Sequence, residues 1–450
     1  MPYDGQQASK RGHIDLIRNP DVEAFLKECA YLKTPGDEVG QQIAAAYVAA
    51  PKCDELPSLV VASDGSSYSE AVNKNFPSTQ MGYVKVSLMA FDMGDYNGLQ
   101  APGSPFVEPF KLAELHNRGR AVAFTLPGSN VRYKNLRVQD GFRLAIYEQL
   151  SDRRTKIRDD GDAVKDVLYS LQGGHISFDK CPGCGEPIGF DFELGRDIAR
   201  CSACHCDVYV TDSLRIHEQI SDHGDNASAI TRFMNAVEHL QLCTLVKAMA
   251  DNNIDALSDT AIMLDGPLAL FGQPAKYHSS IQAFYHSIFE RCRARGRTPP
   301  LVIGLQKEGM VMEHARSLSR YLANGTYCAI TDKYRAEFIN GIAPQTDNFG
   351  HETYYGQDFI YKTDSGRVFD VCLAYPFADK QDREGFAEKK ADSAHYGDML
   401  GRAFALIRHL EFDLYDDAVV PVALAHRHAS ISLKPGGTLL DVLTKTHLGR

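Results

Sequence analysis

Leu59-Val60-Val61-Ala62-Ser63-Asp64-Gly65-Ser66 sets a short apolar run against a carboxylate, a glycine and a serine. Much further along, Ala261-Ile262-Met263-Leu264-Asp265-Gly266-Pro267 repeats the arrangement. A brief apolar run bounded by turn formers reads as a buried sheet strand, and Asp-Gly reads as the turn that ends it. The two segments therefore predict two strands of one sheet, with Asp64 and Asp265 projecting from adjacent strand ends. Each Asp-Gly pair alone is only a turn signal; its weight comes from what surrounds it.

Outward from these segments, Val84, Val86, Leu88 and Ala90 alternate with Tyr83, Lys85, Ser87 and Met89, the period-two pattern of a strand that pairs with the first. Further strand signals fall at 301–305, 327–330, 358–362 and 367–375. Helical spacing marks Ile14, Ile17, Val22, Phe25 and Leu26, with a break expected at Pro20, and a second stretch over 39–50. Another helix is expected from Asp140 toward Leu171, interrupted near Asp159-Asp160-Gly161, and another through Ile230, Phe233, Met234, Val237 and Leu240. Two more are expected over 396–410 and 420–432. The sum is an α/β protein, a mixed sheet with flanking helices. It has an N-terminal helical arm over 1–55, a body split into 56–172 and 223–450, and a cysteine-rich insert at 173–222.

Composition sets the outer limits. Of 450 residues, 44% are hydrophobic and 24% charged, which excludes disorder, collagen and coiled coil. No window approaches the roughly 18 consecutive apolar residues of a membrane span. The start, Met1 to Pro20, lacks the apolar stretch of an export signal, so a cytoplasmic protein without a membrane partner is expected. Forty-eight basic against 58 acidic side chains leave a net charge of −10, which argues against one uniformly basic nucleic-acid surface. Residues 118–158 reverse the sign. There Arg118, Arg120, Arg132, Lys134, Arg137, Arg143, Arg153, Arg154, Lys156 and Arg158 face only Asp140, Glu148 and Asp152. Such a run is either a solvated helix face or a phosphate contact.

Eleven cysteines, an odd number, argue against a secreted disulfide framework. Cys29, Cys53, Cys243, Cys292, Cys328 and Cys372 are scattered and read as small core residues. The other five crowd into 26 positions. Cys181-Pro-Gly-Cys184 and Cys201-Ser-Ala-Cys204 are two C-x2-C knuckles separated by sixteen residues, a spacing at which four thiolates close a tetrahedral Zn2+ site. Four sulfurs leave no open position for water, so the zinc is read as structural. It would supply much of the folding energy of an insert too small to build its own core. His175, His205 and Cys206 are spare ligands nearby, read as surface or packing residues.

Glu238, on the helix that leads into the second aspartate strand, adds a third carboxylate, and Glu148 on the earlier helix is the alternative. Three carboxylates at one point repel unless neutralised, and one or two Mg2+ or Mn2+ ions with oxygen ligands are the usual remedy. Such a site suits phosphodiester cleavage, in which two ions clamp the attacking and leaving oxygens of an in-line displacement.

Asp64-Gly-Ser after a strand, Glu238 on a helix, Leu264-Asp265-Gly-Pro-Leu268 after a later strand and Pro421-Val-Ala-Leu-Ala-His426 near the end together resemble the NurA nuclease family. The resemblance spans about residues 56–435 and rests on the joint order of these short stretches. It implies a ribonuclease-H-like fold, Mn2+-dependent nuclease action on DNA ends, a homodimer, and docking on the hexameric HerA translocase in DNA repair or antiviral defence. By the same resemblance Asp64, Glu238 and Asp265 bind the catalytic ions, and His426 contacts metal, water or the scissile phosphate. Lys307, after the strand at 301–305, resembles a family lysine that could neutralise phosphate charge; otherwise it is a solvated strand-end residue. Asp332 is not expected to join the site. The cysteine-rich insert departs from the minimal family pattern.

Two other readings stay open. One is a non-catalytic zinc-ribbon subunit that recruits or regulates an ATPase, its carboxylates only capping turns. The other is a metal-dependent phosphohydrolase of small phosphate esters.

Overall fold

A computed structural model describes residues 14–29, 34–73, 75–99, 111, 114, 119–341, 349–380, 383–411, 419–431, 440 and 444. The strand that carries Asp64 is far longer than its apolar run. β2 (Leu59–Asn73), which follows the two-residue β1 (Val48–Ala49), continues through Gly65-Ser66-Ser67 where a break was expected. Its partner explains the difference. β3 (Phe76–Asp92) pairs with it antiparallel from Leu59↔Asp92 to Ala71↔Gln80, so a ladder rather than a turn satisfies the backbone of the polar half. Asp64 therefore lies inside a strand. Asp265 does end its own, β9 (Thr260–Asp265), and Gly266 beside it adopts φ 125°, a conformation that disfavours any side chain.

β4 (Arg120–Pro127), β10 (Leu301–Gln306), β11 (Thr326–Ala329), β12 (Gly356–Lys362) and β13 (Val368–Ala374) complete a nine-stranded sheet in the order β1-β11-β12-β13-β10-β9-β2-β3-β4. Its centre is parallel: β2 pairs with β9, and β9 with β10. The outer pairings are antiparallel. Parallel strands need cover on both faces, and the continuous apolar runs Val60-Val61-Ala62, Ile262-Met263-Leu264 and Val302-Ile303 are accordingly buried.

Helices supply that cover. The long helix Ala227–Ser258, kinked at Asn253, packs on β2 and β3. It comes close enough that a Cβ on Gly82 would lie 2.5 Å from Ile230 Cδ1. Its Phe233 meets Phe124 of β4 edge to face, with centroids 5.4 Å apart. The helix Val420–Ala429 also packs on β2 and β3, and Asp398–Leu410 sends Phe404 against Tyr361 of β12. Ser432, the expected end of the last helix, lies outside the described residues. Among those described, no helix is long and apolar enough to cross a membrane.

At the N-terminal end the break expected at Pro20 is present: the helix Ile14–Ile17 stops before it, and a new helix starts on that proline. In Pro20–Glu28 it occupies the first turn, where its missing N–H costs nothing, and Asn19 caps the end by accepting from the Asp21 N–H. The next helix, Asp37–Ala44, stops short of the expected 50 because Val48 and Ala49 form β1 against β11 at the sheet edge.

The cysteine-rich insert folds as two hairpins, β5 (His175–Phe178) with β6 (Phe190–Glu193) and β7 (Ile198–Arg200) with β8 (Asp207–Tyr209). Ile176, Phe192, Val208, Val210 and Leu214 join the same apolar core as the sheet. Burial against the body thus holds the insert as well as any ion does. A buried ion pair fastens it further: Arg143, on the helix Val138–Ser151, lies 2.6 Å from Asp212, with side chains 1% and 2% exposed. Removing one partner of such a pair strands a buried charge, so Asp212→Ala should cost about 3–5 kcal/mol. Arg143→Met combined with Asp212→Leu should recover part of that loss, and denaturant unfolding of the three proteins reads both effects.

Candidate metal centre

Ser63 of β2 pairs with Leu264 of β9, so the next residues, Asp64 and Asp265, come level on neighbouring parallel strands. The helix Val420–Ala429, with Pro421 in its first turn, brings His426 to both. Nδ1 of that ring lies 2.8 Å from Asp64 Oδ2 and 3.5 Å from Asp265 Oδ2. One ligand atom from each of the three residues falls within 4.8 Å of the others, a spread that a single metal ion can bridge. Lys307, directly after β10, sets its Nζ 2.5 Å from Asp265 Oδ2.

Glu238 approaches from the long helix. Gly65 leaves it room, since a Cβ there would lie 3.4 Å from Glu238 Oε2 and 2.9 Å from Met234 Cγ. Successive strand residues point to opposite faces, so Glu238 sits on the Gly65 side of β2 while His426 meets Asp64 on the other. Glu238 is 4% exposed, and its Oε1 has no hydrogen-bond partner within the described residues. Burial, reinforced by Asp64 and Asp265, holds the Glu238 carboxyl well above the usual carboxylate range. Burial raises Asp64 as well, against the lowering pull of His426. A buried carboxylate oxygen without a partner must take up a proton or a cation. That oxygen feels the charge of Asp64 and Asp265, but the group whose ligand atoms lie within 4.8 Å of one another is Asp64, Asp265 and His426 without it.

Without one, the histidine and lysine supply the positive charge. Hydrogen bonds to Asp265 and Asp64 hold the His426 imidazole up to about 9. The ring therefore carries its proton at neutral pH, and the pairing is lost as the pH rises through that value. Gly304 of β10 secures the turn beyond Asp265, because a Cβ at that position would collide with the Gly266 carbonyl oxygen.

Other candidates lie elsewhere. Glu148 accepts from the Tyr133 hydroxyl at 2.7 Å and from Lys134 Nζ at 2.5 Å, so it is engaged on the helix surface. Asp332 pairs with the buried Lys390 at 2.6 Å and accepts from the Phe349 N–H. In the basic stretch, Lys134, Arg137, Arg143, Arg154 and Arg158 pair with Glu148, Asp140, Asp212, Asp152 and Asp160. Arg120 donates to the carbonyls of Arg154 and Ile157, and Arg118 lies outside the described residues. Half of the ten basic side chains are thus paired within the fold, but of their partners only Asp212 and Asp160 lie outside the run, so most of its charge excess remains.

The second group that can hold a metal ion is Cys181, Cys184, Cys201 and Cys204. Both knuckles use one backbone pattern. Gly185 and His205 donate to the carbonyls of Cys181 and Cys201, and the N–H groups of those cysteines donate to Glu186 and Cys206. Gly185 at φ 75° and His205 at φ 58° make the same left-handed turn. Sulfurs of Cys181 and Cys204 lie 3.7 Å apart and those of Cys184 and Cys201 3.9 Å, near the ~3.8 Å edge of a tetrahedron with 2.3 Å metal–sulfur bonds. His175 is half exposed and lies 3.4 Å from Asp191, across its own hairpin. Cys206, read from sequence as packing, has its sulfur 3.2 Å from that of Cys204. The spacing Cys204-x-Cys206 was the available signal. Of the other cysteines, Cys243, Cys292 and Cys372 are buried, whereas Cys29 is exposed.

No family model matches this chain, and no curated protein matches it.

The carboxylate pair makes His426 a reporter of the site. In the metal-free protein its ring should titrate by NMR near 9. Asp64→Asn should move the midpoint down toward the ordinary value of about 6.5. Saturating Mg2+ should do the same, because a cation on the carboxylates displaces their claim on the imidazolium.

Proposed function

We propose that this chain is a Mg2+- or Mn2+-dependent DNA nuclease of the NurA type, with a ribonuclease-H-like body and a structural zinc in its inserted ribbon. The observation that carries the reading is the convergence of Asp64, Asp265 and His426, with buried Glu238 set behind Gly65. Oxygen donors with one imidazole suit these hard cations, and four sulfurs suit Zn2+. The strand run β4-β3-β2-β9-β10, an antiparallel trio with two parallel strands beside its first member, supports the ribonuclease-H-like reading.

Asp64, Glu238 and Asp265 would hold one or two ions. Bound there, divalent ions supply Lewis acidity that makes water more acidic and offsets the charge developing on a phosphodiester. With ions on the carboxylates, the 60% exposed His426 side chain would be released to contact the metal, water or the scissile phosphate. Lys307, close to Asp265, adds a positive charge for the same phosphate. The half-buried stretch of β2 from Gly65 to Ala71 runs on past the end of β9 and offers the substrate a ledge beside the carboxylates.

With a net charge of −10 and half of the basic run internally paired, DNA delivery is assigned to a partner: a HerA-like hexameric translocase, with the nuclease as a homodimer. DNA repair and antiviral defence are both consistent with such a pair.

The test is digestion of end-labelled linear DNA in Mn2+ by wild type and Asp64→Ala, after both are shown to be folded and to hold equal zinc. Wild type should shorten the DNA, and the variant should lose at least ~100-fold in rate, as expected when a catalytic ion loses a ligand. A folded, metal-loaded wild type that cleaves nothing, alone or with the translocase, would refute the nuclease reading in favour of a recruiting subunit. Phosphate release from nucleotides without shortening of DNA would instead point to a phosphohydrolase.

A further inference from the structure

We propose that Cys206 is a fifth thiol built into the cysteine clasp, through which a hydroperoxide oxidises Cys204 and Cys206 to a disulfide and expels the zinc. The inference rests on the reading of the clasp as a zinc site and is independent of the nuclease reading.

Three observations point the same way. The Cys204–Cys206 sulfur separation of 3.2 Å is shorter than the 3.7 and 3.9 Å between paired members of the four-cysteine group, and too short for two ligands of one tetrahedral ion. Cys206 also approaches Cys181, at 3.6 Å, so it touches the clasp from outside while remaining a fifth sulfur. Space has been left for it: a Cβ on Gly183, inside the first knuckle, would lie 2.7 Å from Cys206 Sγ. Only the second knuckle has this feature, because the corresponding position in the first is Glu186.

Neighbouring groups fix the geometry. His205 takes the left-handed conformation at φ 58°, which turns the chain back so that Cys206 Sγ returns to Cys204. Arg143 donates to the carbonyl of Asp207 at 2.8 Å and is itself held by Asp212, which anchors the residue after Cys206. Cys204 is exposed and Cys206 partly so, and both are open to a small oxidant.

The chemistry balances with the peroxide as sole oxidant. Cys204 sulfur attacks the O–O bond, which breaks; one oxygen stays on sulfur as a sulfenic acid and the other leaves as an alcohol, or as water when the oxidant is hydrogen peroxide. Cys206 sulfur then attacks the Cys204 sulfur, forming the S–S bond and expelling the second oxygen as water. Two electrons pass from the thiols to the peroxide, and two protons from thiols or solvent complete the two oxygen products. Cys204 is thereby lost as a ligand, and the three sulfurs left cannot close a tetrahedron around zinc.

The experiment treats full-length zinc-loaded protein with hydrogen peroxide, follows zinc release with a chromogenic chelator, and maps disulfides by mass spectrometry. Wild type should release its ribbon zinc together with formation of a Cys204–Cys206 disulfide. Cys206→Ser should bind the same amount of zinc and release it at least ~10-fold more slowly. Equal release rates, or a disulfide joining another pair, would overturn the proposal. Metal analysis before oxidation separates the two readings, since wild type that carries no zinc removes the clasp reading itself. Mapping the disulfide in wild type needs no variant, so the outcome stands even if Cys206→Ser folds poorly.

Discussion

Two parallel strands at hydrogen-bonding distance place residues of equal level side by side, and the β2–β9 pair does this to two aspartates. Like charges so close are tolerated only with positive charge between or beside them. Much of the local structure answers that demand. The helix Val420–Ala429 lends His426, the loop after β10 lends Lys307, and Glu238 is pushed toward its neutral form. The same unfavourable electrostatics make the site receptive to cations, because an arriving ion relieves repulsion that the fold already bears.

The parts of this arrangement differed in how openly the sequence displayed them. Apolar runs such as Ile262-Met263-Leu264 and the paired knuckles are local signals, and they read directly as strands and as a metal clasp. The length of β2 is not local. Residues 65–73 are polar and carry glycine and serine, so they look like a loop; only their pairing with β3, closed by the bulge between Ala71 and Asn73, keeps them extended. The basic run overstates its charge for a related reason. Summing charge along a window omits Asp212 and Asp160, which lie outside it in sequence and beside Arg143 and Arg158 in space. Pro20, by contrast, is a local signal that reads directly, since one helix stops at Ile17 and the next starts on the proline.

Glu238 against Glu148 was undecidable from residue type, as both sit on helices near apolar stretches. Space decides it. Gly65 has no side chain to hold the long helix away, and Tyr133 and Lys134 already occupy Glu148. Glycines thus carry positional information here: Gly65 admits the third carboxylate, Gly304 admits the turn after Asp265, and Gly183 admits the fifth sulfur.

β2 outlasts its parallel neighbour, and that inequality has a mechanical meaning. Up to Ser63 the strand is gripped from both sides by β3 and β9; beyond it, among the described residues, it pairs with β3 alone. Stiffness therefore falls along one continuous backbone, from a clamped half that keeps Asp64 in place to a compliant half that can bend without disturbing it. The strand is a cantilever with its carboxylate at the fixed end.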